Sequence, residues 1–170
     1  ASPPQLATYL ASNDLLLRYE PSQNDWIRLI PRAKLFTGDL LLAAPAYHPT
    51  IALANGIQVE LDGGTRVTLI DDMAPQPGAA AAAQTGLEIV YGRAIIDSTM
   101  LGTASLGLRF GDAEVLVQFD GVSTLAIEAH RNLPPGADPL TAPAAVTAEF
   151  YAISGRLQWL QEDRSLDITP

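Results

Sequence analysis

Residues 57–69 read Ile-Gln-Val-Glu-Leu-Asp-Gly-Gly-Thr-Arg-Val-Thr-Leu, so apolar and polar side chains alternate on both sides of a Gly-Gly pair. Successive side chains of a β-strand point to opposite faces, and a period of two is therefore typical of a strand with one buried face. The pattern predicts strands at 57–62 and 65–69 with a turn between them. We expect five apolar positions to be buried, namely Ile57, Val59, Leu61, Val67 and Leu69. We expect four polar positions to be largely exposed, namely Glu60, Asp62, Arg66 and Thr68.

Short segments of this kind recur along the whole chain. Pairs of turn residues separate many of them, such as Asn55-Gly56, Asp120-Gly121 and Ser154-Gly155, because these residues tolerate positive φ. Residues 4–12 are predicted as strand or coil. The whole pattern predicts an all-β fold of many short strands, either a β-solenoid-like roll or a two-layer sandwich. The further predicted strands are 15–19, 26–30, 40–43, 50–53, 87–91, 94–96, 105–110, 114–119, 123–129, 147–153 and 156–160.

Length and composition limit the class of protein. A chain of 170 residues suits one domain, and we treat 1–170 as a single domain. Apolar residues make up 48% and charged residues 17%, which excludes a disordered tail. No run of about 18 apolar residues exists, so contact with a membrane would require a flanking anchor. The net charge of −9 repels phosphate backbones and argues against sequence-independent nucleic-acid binding.

The residues that usually hold metals are few and widely spaced. The chain has no cysteine, which excludes disulfides, thiolate nucleophiles and zinc–thiolate sites. Its two histidines, His48 and His130, lack the spacing of metal ligands, and we expect both on the surface. Asp71 and Asp72 are candidates for a weak calcium site, although the Asp-x-Asp-x-Asp-Gly spacing is missing. We therefore expect neither a metal nor a cofactor.

No residue pattern predicts a catalytic centre. The segment 101–107, Leu-Gly-Thr-Ala-Ser-Leu-Gly, is similar to Gly-x-Ser-x-Gly around Ser105, but its first glycine comes one residue too early and no helix follows. Lys34 is the only lysine and lies in a polar stretch, where strong desolvation of its amine is not expected. The carboxylates of Glu60 and Asp62 alternate with buried positions and should point to solvent. The prediction is a non-enzymatic protein without catalytic residues.

Two stretches interrupt the strand pattern. Residues 73–86 contain two prolines and the run of five alanines at 79–83, and residues 132–143 contain four prolines. Proline removes a backbone donor and restricts the residue before it, so neither stretch suits a central strand. Both are predicted to be flexible insertions outside the sheet.

The large aromatic side chains divide into core and surface candidates. Trp26, Phe110 and Phe119 lie on predicted strands, and we expect them in the core. Phe150 and Tyr151 are adjacent on one strand and must point to opposite faces. One of these two is therefore at least partly exposed, and it is the first candidate for contact with a partner.

Several short motifs occur in an order typical of a known family. Residues 56–61, Gly-Ile-Gln-Val-Glu-Leu, and 64–69, Gly-Thr-Arg-Val-Thr-Leu, resemble the paired strands of FecR-like domains. Residues 87–94 resemble the next element, an apolar strand that ends here in Gly-Arg-Ala. Residues 151–159, Tyr-Ala-Ile-Ser-Gly-Arg-Leu-Gln-Trp, resemble the closing strand. Two upstream segments resemble the motifs with which the family's domain begins: Trp-Ile-Arg-Leu at 26–29 and Leu-Phe-Thr-Gly-Asp-Leu-Leu at 35–41.

The resemblance covers about residues 25–160 and implies a periplasmic or extracytoplasmic β-rich domain, solenoid-like in architecture, that works through protein contacts. In the best-known members the domain relays a signal from an outer-membrane receptor to a sigma factor. The leading hypothesis is therefore a non-enzymatic sensor or regulatory domain of an anti-sigma or FecR-type protein, or of a membrane-anchored envelope protein. A protein is the expected partner.

The alternative hypothesis is a carbohydrate- or cell-surface-binding β module of an envelope protein. An exposed row of aromatic side chains would favour this module, because sugar rings stack on aromatic faces. An unpaired apolar strand edge would favour pairing with a protein.

Overall fold

The computed structural model describes residues 3–10, 14–73, 85–138, 142, 144–161 and 164–170. Thirteen β-strands and no helix occur in these residues, which confirms the all-β prediction, and all the strands belong to one mostly antiparallel sheet that is not closed. The solenoid-like roll and the sandwich both stay predictions. The strands are β1 Gln5–Tyr9, β2 Leu16–Glu20, β3 Asp25–Arg28, β4 Lys34–Phe36, β5 Leu40–Ala43, β6 Thr50–Leu53, β7 Ile57–Leu61, β8 Arg66–Ile70, β9 Gly86–Ser98, β10 Thr103–Phe110, β11 Ala113–Asn132, β12 Ala145–Gln161 and β13 Arg164–Ile168.

The strand pairings divide the sheet into two arms that share three long strands. The first arm has the order β3-β2-β5-β8-β9-β10-β11-β12-β13 and uses residues 86–91, 113–120 and 156–161 of the long strands. The second arm has the order β4-β1-β6-β7-β9-β11-β12 and uses residues 92–98, 123–132 and 145–154 of the same strands. The strands β9, β11 and β12 therefore each run from one arm into the other.

Each long strand carries a left-handed glycine where it passes between the arms. Gly92 of β9, Gly121 of β11 and Gly155 of β12 have φ values of 107°, 69° and 80°. The register of β11 against β12 shifts between Asp120 and Thr124. An extra residue on one strand bends it and increases its twist, which explains how one strand serves two arms.

Two buried hydroxyl groups fix these bends. Thr65 Oγ1 donates to the carbonyl oxygen of Arg93 at 2.8 Å and accepts from the Arg93 amide at 2.9 Å. A Cβ added at Gly92 would collide with Thr65, because it would lie only 2.6 Å from the Cα atom of that residue. Ser123 has the same role at Gly155. Its hydroxyl group lies 3.2 Å from the carbonyl oxygen of Arg156, and a Cβ added at Gly155 would collide with the Ser123 hydroxyl group. Small hydroxyl residues therefore satisfy the backbone at the bend, and glycine leaves room for them.

Buried side chains from both arms form one hydrophobic cluster. Its members include Leu35 and Ile51 from the second arm and Leu41 and Leu106 from the first. The five apolar positions predicted from the 57–69 pattern are all fully buried, as expected.

The polar half of that prediction is only partly confirmed. Glu60 is exposed, whereas Asp62, Arg66 and Thr68 are half-buried. Asp62 makes an ion pair with Arg93, and the guanidinium of Arg66 lies 5.8 Å from the centre of the Trp26 ring. Strand periodicity gives the face on which a side chain lies, but neighbouring strands decide how much of that face water reaches.

The aromatic predictions are confirmed for Phe110 and Phe119, which are buried, and wrong for Trp26, which is half-buried. Trp26 lies on β3 at the end of the first arm, where it packs on Tyr19 with ring centres 5.4 Å apart. A strand at the end of a sheet has a neighbour on one side only, so its large residue keeps part of its surface in water.

Every predicted strand overlaps an observed one; β5 and β6 have the predicted ends, and the ends of the others differ. The segments 87–91 and 94–96 are one continuous strand, β9, and residues 4–12 contain β1. The sequence reading missed β4, which has only three residues, and β13, whose sequence Arg-Ser-Leu-Asp-Ile shows no buried face.

The two predicted insertions are only partly described. Residues 74–84 of the 73–86 stretch lie outside the described residues, and Gly86 begins β9. In the 132–143 stretch Asn132 ends β11, residues 133–138 belong to no strand, and 139–141 and 143 lie outside the described residues. This second stretch joins β11 to β12, which pair as antiparallel neighbours. No helix of the described residues is long and apolar enough to cross a membrane.

Candidate protein-contact site

The two halves of β12 have different surroundings. Residues 157–161 lie between β11 on one side and β13 on the other. Residues 145–154 have β11 as their only ladder partner within the described part of the chain. Alternate backbone N–H and C=O groups of an edge strand point away from the sheet and are available to another strand. We call residues 145–154 the free edge.

The free edge has one face in the protein and one in solvent. Its inner face packs against the core, and Phe150 there makes edge-to-face contacts with Phe110 and Trp159, with ring centres 5.4 and 4.2 Å away. Its outer face carries two large exposed side chains, Tyr151 at 51% and Ile153 at 53%. The prediction that one of Phe150 and Tyr151 is exposed is confirmed, and the exposed residue is Tyr151.

The free edge lacks most of the features that normally prevent edge-to-edge pairing, although it has one β-bulge near its end, at Ile153, where its register against β11 shifts. Its sequence is Ala-Val-Thr-Ala-Glu-Phe-Tyr-Ala-Ile-Ser, which has no proline, glycine or lysine and one charged residue, Glu149. The other strands with a single ladder partner in the described residues are shorter. Two of them carry two charged residues each, β3 as Asp-Trp-Ile-Arg and β13 as Arg-Ser-Leu-Asp-Ile, and the three-residue β4, Lys-Leu-Phe, carries one. Charge and short length are the usual protection of a sheet edge. The free edge has neither.

A groove runs along the outer face of the second arm beside the free edge. The ladder registers place Glu60, Ile95, Ala126 and Tyr151 in one row across β7, β9, β11 and β12. These residues line a groove of about 370 Å³. Ile95 and Ala126 give the groove an apolar floor, and Tyr151 forms its wall at the free edge.

The charged groups of the groove are mostly carboxylates. Asp62 is held by Arg93 at 2.8 Å and lies 3.1 Å from Nδ1 of His48. Glu128 lies 3.5 Å from Nε2 of His130. Arg93 is therefore the only arginine or lysine that lines the groove in the described residues, and it already has an acidic partner.

Tyr151 is oriented by a neighbour on its own strand. Its hydroxyl group donates a hydrogen bond to Oε2 of Glu149. This hydrogen bond, together with the negative charge of Glu149, raises the pKa of Tyr151 above its ordinary value. The hydrogen bond to Glu149 thus anchors the hydroxyl end of an exposed ring at the sheet edge.

The structure brings His48, Glu60 and Asp62 together at the groove and leaves Asp72, Lys34 and Ser105 apart from it. Asp72 pairs with Arg109 at 3.0 Å, which places a cation where the calcium alternative would need a metal. Lys34 is exposed on β4, and Ser105 pairs with Gln118 in the β10–β11 ladder. No group of three or more metal-binding side chains occurs in the described residues.

A second groove, of about 560 Å³, lies on the first arm and is polar. Its lining includes Asp120, Arg156, Gln158 and Asp167. Gln158 donates to Asp167 at 3.2 Å across β12 and β13.

Comparison with known proteins gave no relative of this chain: no family model, no curated protein and no solved structure matches it.

The sequence reading found Tyr151 but missed the free edge. Pairing partners of a strand are set by tertiary structure, so the pattern of residues 147–153 could not show which side of β12 stays open. A usable signal was present, namely ten consecutive residues without proline or glycine and with one charge, shortly after a proline-rich stretch.

Proposed function

We propose that this chain is a non-enzymatic, extracytoplasmic sensor or regulatory domain of the FecR-like type, which acts by binding another protein. The free edge of β12 is the contact: an extended segment of the partner pairs with it and continues the second arm by one strand. Main-chain hydrogen bonds supply affinity in this mode, and alternate side chains supply specificity.

The observation that carries the proposal is the ten-residue edge itself. It is longer than β3, β4 or β13 and nearly uncharged, and its outer face shows Tyr151 and Ile153 to solvent. An exposed apolar edge of this length is a pairing site for a further strand. The motifs shared with FecR-like domains support the regulatory and extracytoplasmic part of the proposal.

Site-specific photocrosslinking in the producing cell tests the contact. A photoreactive phenylalanine analogue replaces Tyr151, and the matched control carries it at Tyr47, which is also exposed. We expect a covalent adduct with a second protein from position 151 and none from position 47. A lysine on the outer face of the edge, Thr147→Lys, should abolish the adduct, whereas Ser22→Lys in the β2–β3 turn should not.

Two results would contradict the contact: adducts of equal yield from both positions, or an adduct that survives Thr147→Lys. The location is tested separately by fusing alkaline phosphatase to the protein expressed from its native gene. We expect an active phosphatase, because the enzyme is active only outside the cytoplasm. An inactive but stable fusion would contradict the extracytoplasmic assignment.

The polar groove of the first arm favours a second candidate, the carbohydrate-binding module. Amide, carboxylate and guanidinium groups at Gln158, Asp167 and Arg156 suit sugar hydroxyl groups. The large aromatic residues exposed in the described part of the chain are Tyr47 and Tyr151, and neither lines this groove. A stacking platform is therefore missing, and we rank this candidate second. Cell-envelope glycans that shift the NMR signals of Gln158 and Asp167 would favour it.

A further inference from the structure

We infer that the partner strand carries arginine or lysine side chains on the face that lies beside Glu149 and Tyr151. The inference rests on the proposed pairing at the free edge and adds the chemistry of the partner. It follows from the carboxylates at the free edge, the apolar surface beside them and the exposed ring of Tyr151.

Two carboxylates of the second arm lie at the free edge, and a third, that of Glu60, lies three strands away on β7, roughly 14 Å from β12. Glu128 lies directly opposite Glu149 in the β11–β12 ladder, and Glu60 stands in the same row as Tyr151. Glu60 has no ion pair within the described part of the chain. Arg93 is already held by Asp62. A cation carried by a strand at the free edge therefore meets two carboxylates, those of Glu128 and Glu149.

The surface beside these carboxylates suits the stem of a long basic side chain. Ala126 is apolar and lies beside Tyr151 in the ladder, on the strand next to the free edge. Arginine and lysine bury their methylene groups on apolar surface while the charged end stays in water or at an acid. The ring of Tyr151 adds attraction for a cation that passes over its face.

Strand geometry fixes where these residues occur in the partner. A strand added to the free edge lies about 4.8 Å from β12, and every second side chain points to the outer face. Residues opposite Glu149 and Tyr151 therefore lie on the groove side of the partner strand, and the positions between them face the core side of the sheet. The partner segment alternates apolar or small residues with basic ones.

The same charges disfavour a second copy of this chain as the occupant. The chain has a net charge of −9. Antiparallel pairing of two free edges would bring the Glu149 side chains of the two copies close together on one face, where like charges destabilise a cross-strand pair. The negative charge that repels a second copy of this chain attracts a basic partner.

Calorimetric titration with three synthetic peptides tests the inference on residues 1–170. Each peptide has about ten residues, matches the length of the free edge and alternates valine with a second residue type. That second residue is arginine in the first peptide, threonine in the second and glutamate in the third. We expect the arginine peptide to bind about tenfold more tightly than the threonine peptide and to lose this advantage in high salt.

Matched variants locate the effect. Glu149→Gln and Glu128→Gln should each weaken binding of the arginine peptide several-fold and leave the threonine peptide unchanged. Asp25→Asn on β3 removes the same charge at a different edge and keeps the oxygen that accepts from the Trp26 amide. This control should bind all three peptides as the parent chain does.

The outcomes separate the two proposals. Equal affinity for the arginine and threonine peptides, both lost in Thr147→Lys, overturns the basic partner and leaves the edge contact standing. Binding of the arginine peptide that Glu149→Gln and Asp25→Asn weaken alike overturns the inference as general charge attraction. Failure of all three peptides to bind contradicts the pairing at the free edge itself.

Discussion

The two halves of β12 are both extended strand but differ in how many neighbouring strands they have. Residues 157–161 are covered by β13, and Leu157 among them is 3% exposed. Residues 145–154 keep one edge open, and Ile153 among them is 53% exposed. The strand passes from one condition to the other at Gly155, where it bends between the arms. One strand therefore supplies both core and contact surface: its covered half is closed on both edges, whereas the free edge packs its inner face on the core and leaves its outer face and one edge open.

The comparison predicts that stability depends on the bend and on the covered half, whereas binding depends on the free edge. Substitutions in the two halves should consequently affect different measurements. The following changes test this separation, from the largest expected effect to the smallest.

Gly155→Val should have the largest effect. Any side chain there is strained at a φ of 80°, and its Cβ would come within 2.7 Å of the Val122 carbonyl oxygen and collide with Ser123. We expect a loss of about 3–5 kcal/mol in the free energy of unfolding, measured by urea denaturation. The matched control is Gly102→Ala, since a Cβ at Gly102 meets nothing within 4 Å. An unchanged midpoint for Gly155→Val would refute the role of the bend.

Leu157→Ala and Ile153→Ala compare the two halves directly. Leu157 is buried in the shared core, so its truncation should lower the free energy of unfolding by about 2–4 kcal/mol. Ile153→Ala should change it by less than about 0.5 kcal/mol, because the side chain is exposed already. Equal losses in the two variants would show that the free edge is packed against something in solution.

Ser123→Ala tests the hydroxyl group at the bend. The residue is fully buried, and its Oγ lies 3.1 and 3.2 Å from the carbonyl oxygens of Asp120 and Arg156. Removal of the donor should cost about 1–2 kcal/mol in thermal or urea unfolding. Thr147→Ala on the free edge is the control and should cost less than about 0.5 kcal/mol. A neutral Ser123→Ala would mean that the bend needs glycine alone.

Glu149→Gln should alter the titration of Tyr151 and slightly lower stability at neutral pH, where the phenol is protonated. The hydrogen bond to Glu149 raises the pKa of Tyr151 from its ordinary value of 10.0, so the variant should return it toward that value. A raised pKa stabilises the folded chain only while the phenol is protonated, and this contribution disappears as the pH rises through the folded value. Tyrosinate absorbance against pH, with Tyr151→Phe to assign the signal, measures the change. A titration that does not move contradicts the Tyr151–Glu149 contact.

The sequence predicted the parts of this fold that depend on local alternation. The strands around residues 57–69 and the burial of Val59 and Val67 follow from a period of two, which is a property of the chain itself. Positions at the ends of sheets were harder to predict. Trp26 was expected in the core and is half-buried because β3 has a neighbour on one side only in the described residues.

The candidate site shows the same division. Exposure of either Phe150 or Tyr151 followed from alternation, but the groove depends on registers between strands that are distant in sequence. Glu60 and Tyr151 are 91 positions apart and share a row only through β9 and β11. The bends at Gly92 and Gly155 could not be predicted from the sequence either, because a glycine inside a strand pattern does not show which residue packs against it.

The most direct test of the account is amide hydrogen exchange along β12, followed by NMR with and without the arginine peptide. In the free chain, alternate amides of residues 145–154 should exchange rapidly, whereas residues 157–161 are protected by β11 and β13. Saturation with the peptide should slow the rapid amides of 145–154 and leave 157–161 unchanged. Uniform protection of 145–154 in the free chain, or protection by the peptide at a different strand, would contradict the claim that this edge is the contact site.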